Sequence, residues 1–130
     1  MLYDVVPDEC LDLAASYPSD ELVIEEQSVF GISHEGIGLK SAHSWGLPEE
    51  IKAAIGYHHH PIDSPVHFEV AAVIHVANRL AKIWGIGSEA ATDSDLPKQI
   101  IEHLAINDES LMRLREQSLE VFENIRSWAA

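Results

Sequence analysis

LPEEIKAAIGYHHHP, residues 47–61, combines a helix start, an apolar helix face and three adjacent histidines. Pro48 suits the first position of a helix, and two acidic residues follow it, where the helix dipole favours negative charge. Ile51, Ile55 and His58 then recur at three- and four-residue spacing, so the first histidine continues the apolar face. The proline after the histidines ends the helix. This segment therefore predicts a helix with imidazoles at its inner C-terminal end.

The histidine tract has two interpretations. Neutral imidazole nitrogens at the inner end of a helix can bind a metal ion. Alternatively, a histidine near a helix C-terminus is stabilised by the dipole alone, and a short tract can form a solvated turn. For the adjacent pair His58 and His59 on an inward face, both interpretations stay open. His60, which precedes proline, is expected to face solvent.

Size and composition indicate a globular protein. The chain has 130 residues, of which 46% are apolar, enough for one domain with a core. Its single cysteine, Cys10, excludes an internal disulfide and fits a reducing compartment. The sequence opens with no signal-peptide pattern and contains no apolar run of membrane-spanning length. We therefore expect a cytoplasmic protein with no membrane partner.

The charge balance argues against one class of partner. Acidic residues number 22 and basic residues 8, which gives a net charge of −14. Direct binding of nucleic acid requires clustered Lys and Arg that displace counterions, so it is not expected. Most of the acidic charge is expected to be solvated surface, with basic or metal-bearing partners as the alternative.

Helix periodicity runs through the sequence, and no stretch alternates over strand length. The sequence thus predicts an all-α fold, a compact bundle of about six helices in a single domain over residues 1–130. Helices are predicted over about residues 7–17, 21–30, 33–45, 48–60, 66–84 and 96–104, and from 107 onward.

Two helices carry specific expectations about packing. Gly36 and Gly38 lie in the helix that Ser33 can cap, and each costs about 1 kcal/mol relative to alanine, so a neighbour is expected to pack closely there. Residues 66–84 are apolar nearly all round, which predicts a central buried helix. The last helix is expected to bury a stripe formed by Leu111, Leu114, Val121, Phe122, Ile125 and Trp128.

The segment 66–84 also carries a line of polar residues that includes His75 and Asn78. For His75 we favour a simple hydrogen bond to neighbouring groups, because a buried polar side chain needs a partner. For Asn78 the functional alternative is that it faces the same pocket as His58 and His59.

Several segments resemble the HDOD domain family. Residues 26–38, EQSVFGISHEGIG, resemble the family's E-x4-G-x-x-H-x-x-x-G segment, and residues 45–59 resemble its W-x-L-P…A-I-x-x-H-H segment. Residues 76–81, VANRLA, and residues 103–106, HLAI, resemble the following helix and the closing segment. The resemblance covers nearly the whole chain.

The resemblance has implications for fold and function. HDOD domains are bacterial all-α relatives of the HD phosphohydrolases and are usually attached to signalling proteins. The chain therefore looks like the C-terminal part of an HD-domain-like fold without its preceding helical half. The function implied is a bacterial signal-transduction output module that contacts protein partners of a signalling pathway. Self-association as a homo-oligomer is also expected, because residues 1–6 are apolar without an evident neighbour.

The resemblance also identifies candidate site residues. His34, His58 and His59 match metal-binding positions of the superfamily, and Asn78 and Glu26 are expected nearby. Asn78 stands where catalytic relatives have an aspartate ligand. Three imidazoles and an amide can hold one borderline ion such as nickel, zinc or iron. Glu35 follows His34 directly and is expected to point away from it.

The same residues argue against catalysis. No histidine in the chain is followed by aspartate, so the His–Asp dyad of the hydrolases is absent. Without it the set lacks the charge for a paired-metal centre, and no catalytic residue is assigned. The alternative is a metal-dependent phosphohydrolase of nucleotides or cyclic dinucleotides, with a dyad supplied from upstream. A helical scaffold that binds no metal is a third interpretation.

Overall fold

All regular structure in the described part of the chain is helical. The computed structural model describes residues 19–85 and 96–128. It contains six α-helices in these ranges, and a short 3-10 turn lies at Pro61–Asp63. The helices are α1 (Ser19–Phe30), α2 (His34–Ser44), α3 (Glu49–Tyr57), α4 (Phe68–Ile83), α5 (Lys98–His103) and α6 (Asp108–Trp128). The predicted all-α class is confirmed, whereas the helix predicted over residues 7–17 lies outside the described residues.

The chain divides into two compact units, Met1–His75 and Val76–Ala130, and the boundary falls within α4. The first unit holds α1, α2, α3 and the first half of α4. The second unit holds the remainder of α4 together with α5 and α6. A single domain over residues 1–130 stays a prediction.

Local chemistry explains where α2 and α3 begin. The hydroxyl of Ser33 accepts a hydrogen bond from the Gly36 N–H at 3.2 Å, which caps α2 as predicted. Pro48 has an extended ψ of 150° and is the N-cap of α3. The sequence predicted it as the first residue of the helix, one position further in. The Lys52 ammonium lies 2.6 Å from the Glu49 carboxylate, and its hydrogen bond and charge lower the pKa of Glu49.

Helices α2 and α3 pack closely through two glycines on facing sides. A Cβ added to Gly38 would lie 2.6 Å from Cγ2 of Ile55. A Cβ added to Gly56 would lie 3.0 Å from the side chain of Leu39. Each glycine therefore accommodates a large side chain of the other helix. The close approach that the glycines of α2 predicted is confirmed at Gly38.

Two packing predictions are wrong. Helix α4 buries Ala71, Ala72 and His75, but Val73 and Ile74 on its other side are exposed, so it is buried on one side only. No residue of α6 is buried, and most of its predicted buried stripe is exposed. Periodicity shows which residues share a helix face, but it does not show whether another element covers that face.

The Gly38–Ile55 contact makes a testable prediction. Gly38→Ala is expected to lower the free energy of unfolding by about 1–3 kcal/mol, because the new methyl group overlaps Ile55. In an Ile55→Ala background the same substitution should be neutral or stabilising by up to about 1 kcal/mol, since alanine favours the helix. Urea denaturation followed by circular dichroism measures both. An equal cost in the two backgrounds would contradict the proposed overlap.

Candidate metal centre

Three histidines converge where α2 begins and α3 ends. His34 is the first residue of α2, His58 is the C-cap of α3, and His59 follows it. The Nε2 atom of His34 lies 3.3 Å from Nε2 of His58 and 3.1 Å from Nε2 of His59. Ligand atoms of all three lie within 4.8 Å of one another. The structure thus brings together the three residues that the sequence assigned to a metal site.

These separations match those of nitrogens around a shared ion. Zinc–nitrogen bonds are about 2.0–2.1 Å, and two such bonds at a tetrahedral angle place the nitrogens roughly 3.3–3.4 Å apart. The observed separations of 3.1 and 3.3 Å from the His34 nitrogen are close to this value. Two of the three nitrogen separations therefore fit one shared ion, and the ligand atoms of all three residues lie within 4.8 Å of one another.

Glu26 binds His34 at Nδ1, the ring nitrogen that does not face the other two histidines. One carboxylate oxygen of Glu26, Oε2, accepts hydrogen bonds from the His34 backbone N–H at 2.8 Å and from its ring Nδ1 at 2.6 Å. These bonds tie the end of α1 to the first residue of α2 and fix the ring direction. A carboxylate on the far nitrogen of a ligand histidine is a common arrangement at metal sites. Glu26 is near the site as predicted, and it binds the back of a histidine.

Glu35 performs the corresponding role for the other two histidines. Its buried oxygen Oε1 accepts the His59 backbone N–H at 2.8 Å and lies 3.4 Å from Nδ1 of His58. The same ring nitrogen of His58 is 3.0 Å from the carbonyl of Ile55. Sequence reasoning missed this role because the partners of Glu35 lie 23 and 24 residues along the chain.

His75 joins α4 to this arrangement. Its Nδ1 atom lies 2.7 Å from the carbonyl oxygen of His58, which accepts the hydrogen bond. His75 is buried, so this bond supplies the partner that a buried imidazole requires. The favoured interpretation of His75, a hydrogen bond to neighbouring backbone, is confirmed.

The rear hydrogen bonds determine which ring nitrogens carry hydrogen. The partners of Nδ1 in His34 and His58 are a carboxylate and a carbonyl, which only accept, so both Nδ1 atoms are donors. In neutral rings each Nε2 then presents a lone pair, and the two lone pairs face each other at 3.3 Å. A metal ion between the rings would satisfy both lone pairs at once.

The candidate centre is open on one side. The His34 side chain is 39% exposed, whereas His59 is buried. Solvent and ions therefore reach the centre from the His34 side. His60 is exposed, as expected, and no contact of its ring with the three histidines is seen. Asn78 lies in the second unit, and its place beside the histidines stays a prediction.

Comparison with protein families bears on this segment. Residues 1–61 match the HDOD domain family. The HDOD match includes Glu26, Glu35 and all three histidines, so the candidate centre lies within it. The matched range is shorter than the range over which the sequence resembles the family, because residues 76–81 and 103–106 fall outside it. The match lies at the N-terminal side of the chain. That the chain is the C-terminal part of an HDOD domain stays a prediction.

Other comparisons add no relative. Neither the curated proteins nor the solved structures include a significant match to this chain. Among the helices within residues 19–85 and 96–128, none has both the length and the apolar character needed to cross a membrane.

The Glu35 contacts predict a stability effect. Glu35→Ala should lower the free energy of unfolding by about 1–3 kcal/mol, because the buried His59 N–H loses its acceptor. Glu35→Gln keeps an acceptor oxygen and should cost less. Glu116→Ala, at an exposed position of α6, is the matched control and should change stability by no more than about 0.5 kcal/mol. Chemical denaturation measures all three, and equal losses for Glu35→Ala and Glu116→Ala would contradict the role of Glu35.

Proposed function

We propose that this chain is a regulatory output domain that holds one metal ion and acts through protein contacts without turning over a substrate. The proposal rests on the different positions that histidines and carboxylates take at the centre. Three imidazole nitrogens face one point, while Glu26 and Glu35 both bind the backs of the histidines.

The ligand set favours particular ions. Three neutral imidazoles suit zinc, nickel and ferrous iron, which accept nitrogen ligands. Magnesium, calcium and manganese prefer carboxylate, carbonyl and water oxygens. Among the described residues, the group that can hold an ion offers only histidine nitrogens. We therefore expect a borderline ion with about one site per chain.

The same ligand set argues against hydrolysis of phosphodiesters by two metal ions. Paired-metal centres hold their ions about 3.5–4 Å apart and stabilise both the attacking and the leaving oxygen. Two dications at that distance require anionic ligands between or beside them. Both carboxylates at this centre are already engaged by backbone and ring N–H groups.

A bound ion would connect several parts of the first unit. His34 belongs to the start of α2, His58 and His59 to the end of α3, and His75 links the His58 carbonyl to α4. Trp45 and Ile51 are exposed on either side of the turn between α2 and α3. We propose that the state of the centre sets the positions of these helices and so the exposure of this face to a protein partner. An attached signalling domain would supply the input.

Metal content tests the proposal directly. Untagged protein loaded with zinc, nickel or ferrous iron is expected to retain about one ion per chain after gel filtration, measured by elemental analysis. The His58→Ala/His59→Ala variant should retain none, because a single imidazole remains. His60→Ala removes the adjacent exposed histidine and should retain as much metal as the parent. Equal metal in all three proteins would contradict the assignment.

A second candidate function is a metal-dependent phosphohydrolase. The observation that favours it is the open side of the centre, since three protein ligands leave a coordination position for water. A zinc-bound water has a pKa near 7 and can act as a nucleophile. This candidate needs one ion and no dyad.

Turnover distinguishes the two candidates. With the retained metal, the parent protein is expected to hydrolyse nucleotides and cyclic dinucleotides no faster than the His58→Ala/His59→Ala variant. Chromatographic detection of the products measures this. Turnover that is present in the parent and in His60→Ala but lost in the double variant would favour the hydrolase.

A further inference from the structure

Helix α6 displays a seven-residue repeat along an exposed face. It is the longest described helix, with 21 residues, and none of them is buried. Its repeat positions are spaced alternately three and four residues apart. We call them the seam: Leu111, Leu114, Ser118, Val121, Ile125 and Trp128.

Leu111 and Ser118 of the seam are half-buried, and its other four residues are exposed. Leu114 is 41% exposed, Val121 56% and Trp128 85%. Single exposed apolar residues are ordinary, but four exposed ones in one helical line, Leu114, Val121, Ile125 and Trp128, form an apolar strip that only Ser118 interrupts. Leaving this strip in water is unfavourable, so it is expected to be covered when the protein is at work.

The period of the repeat indicates what kind of structure covers the seam. A helix that packs on a globular core has a broad apolar face that follows the 3.6-residue period. A strict alternation of three and four averages 3.5 residues and keeps a narrow line facing one partner helix in a left-handed coiled coil. The seam keeps this alternation over its whole length, with Ser118 as its one polar position.

We propose that the seam pairs with the seam of a second copy of this chain, forming a two-helix coiled coil. The surfaces are then identical, which a two-fold axis allows. In a coiled coil the positions that flank the seam set the choice of partner through their charges. These flanking positions are Ser110, Arg115, Gln117, Phe122 and Asn124.

The charges around the seam fit a second copy. None of the five flanking residues is acidic, although the chain carries 22 acidic and 8 basic residues. Glu109, Glu116 and Glu123 all occupy the position farthest from the seam, so two copies can approach without placing acids opposite each other. A strongly basic partner helix would be matched by acidic flanks, which α6 lacks.

Two charged residues of α6, Arg113 and Arg126, have partners within the helix. Glu109 and Arg113 form a 3.5 Å ion pair one turn apart. The guanidinium of Arg126 lies 5.9 Å from the centre of the Phe122 ring. These charged groups therefore have partners that a second copy need not disturb.

The length of the seam sets the strength of the pairing. The helix extends about 30 Å at 1.5 Å per residue, which is three heptads and near the lower limit for a sustained coiled coil. Ser118 interrupts the apolar contacts at the middle of the seam. We therefore expect a reversible dimer whose population depends on concentration.

Sedimentation equilibrium of the full chain over a wide concentration range tests the pairing. The parent is expected to show a monomer–dimer equilibrium. Ser118→Leu should lower the dissociation constant roughly tenfold or more, because it adds a buried side chain from each copy. Val121→Asp should abolish the dimer, because it places two unpaired carboxylates in the seam. Circular dichroism checks that each variant keeps its helix content.

Met112→Asp is the matched control. Met112 is 63% exposed on the same helix but lies beside the seam, so this variant should dimerise like the parent. If the parent and Ser118→Leu proteins are both monomeric at every concentration, the proposal is overturned. A dimer that Val121→Asp does not weaken would also overturn it. The experiment is repeated with EDTA. A dimer that EDTA dissociates would be bridged by metal and would also overturn the coiled coil.

Discussion

The close approach of α2 and α3 is the constraint on which the candidate centre depends. Ile55 occupies the space where a side chain of residue 38 would begin, and Leu39 does the same above Gly56. These two contacts fix both the separation and the axial position of the helices. The start of one helix therefore lies beside the end of the other, and His34 comes within hydrogen-bond distance of His58 and His59.

Hydrogen bonding at the rear of the histidines determines the chemical character of the centre. Each of the two carboxylates accepts a backbone N–H and also lies against a ring nitrogen. The backbone and the imidazoles are thus oriented by the same groups. Because both carboxylates lie behind the ligands, the point between the three histidines is lined by imidazole nitrogens and not by carboxylate oxygens. If these carboxylates faced the point between the three histidines, the centre would suit harder ions.

Local sequence patterns predicted most of the helix starts. The predicted end of α3 at Pro61 is wrong, because regular helix ends at Tyr57. Ser33 and Asn107 both accept hydrogen bonds from the first turns of their helices, as helix-capping residues do. Gly31 has a positive φ of 72° where α1 ends, which is a local property of glycine. The grouping of His34 with His58 and His59 followed from a family resemblance, because spacing along the chain alone does not determine contacts across 24 residues.

Other features depended on information that a single sequence lacks. The partners of Glu35 were missed because helical geometry predicts only neighbours three or four residues away. Burial of α6 was predicted wrongly because its apolar line is compatible with either a core or an external partner. The one-sided burial of α4 has a similar origin, since a helix that is apolar all round need not be covered all round.

The end of α3 just before two adjacent histidines has a consequence for insertions and deletions in the chain. Successive side chains on a helix diverge by about 100°, so His58 and His59 reach one point only because regular helix ends at Tyr57. Inserting or deleting one residue within α3 would rotate both imidazoles out of register with His34. The turn and loop between Asp63 and His67 can change length without this effect, because these residues hold none of the three ring nitrogens. Among related sequences, gaps are expected to accumulate after the histidine tract and to be missing from the helix before it.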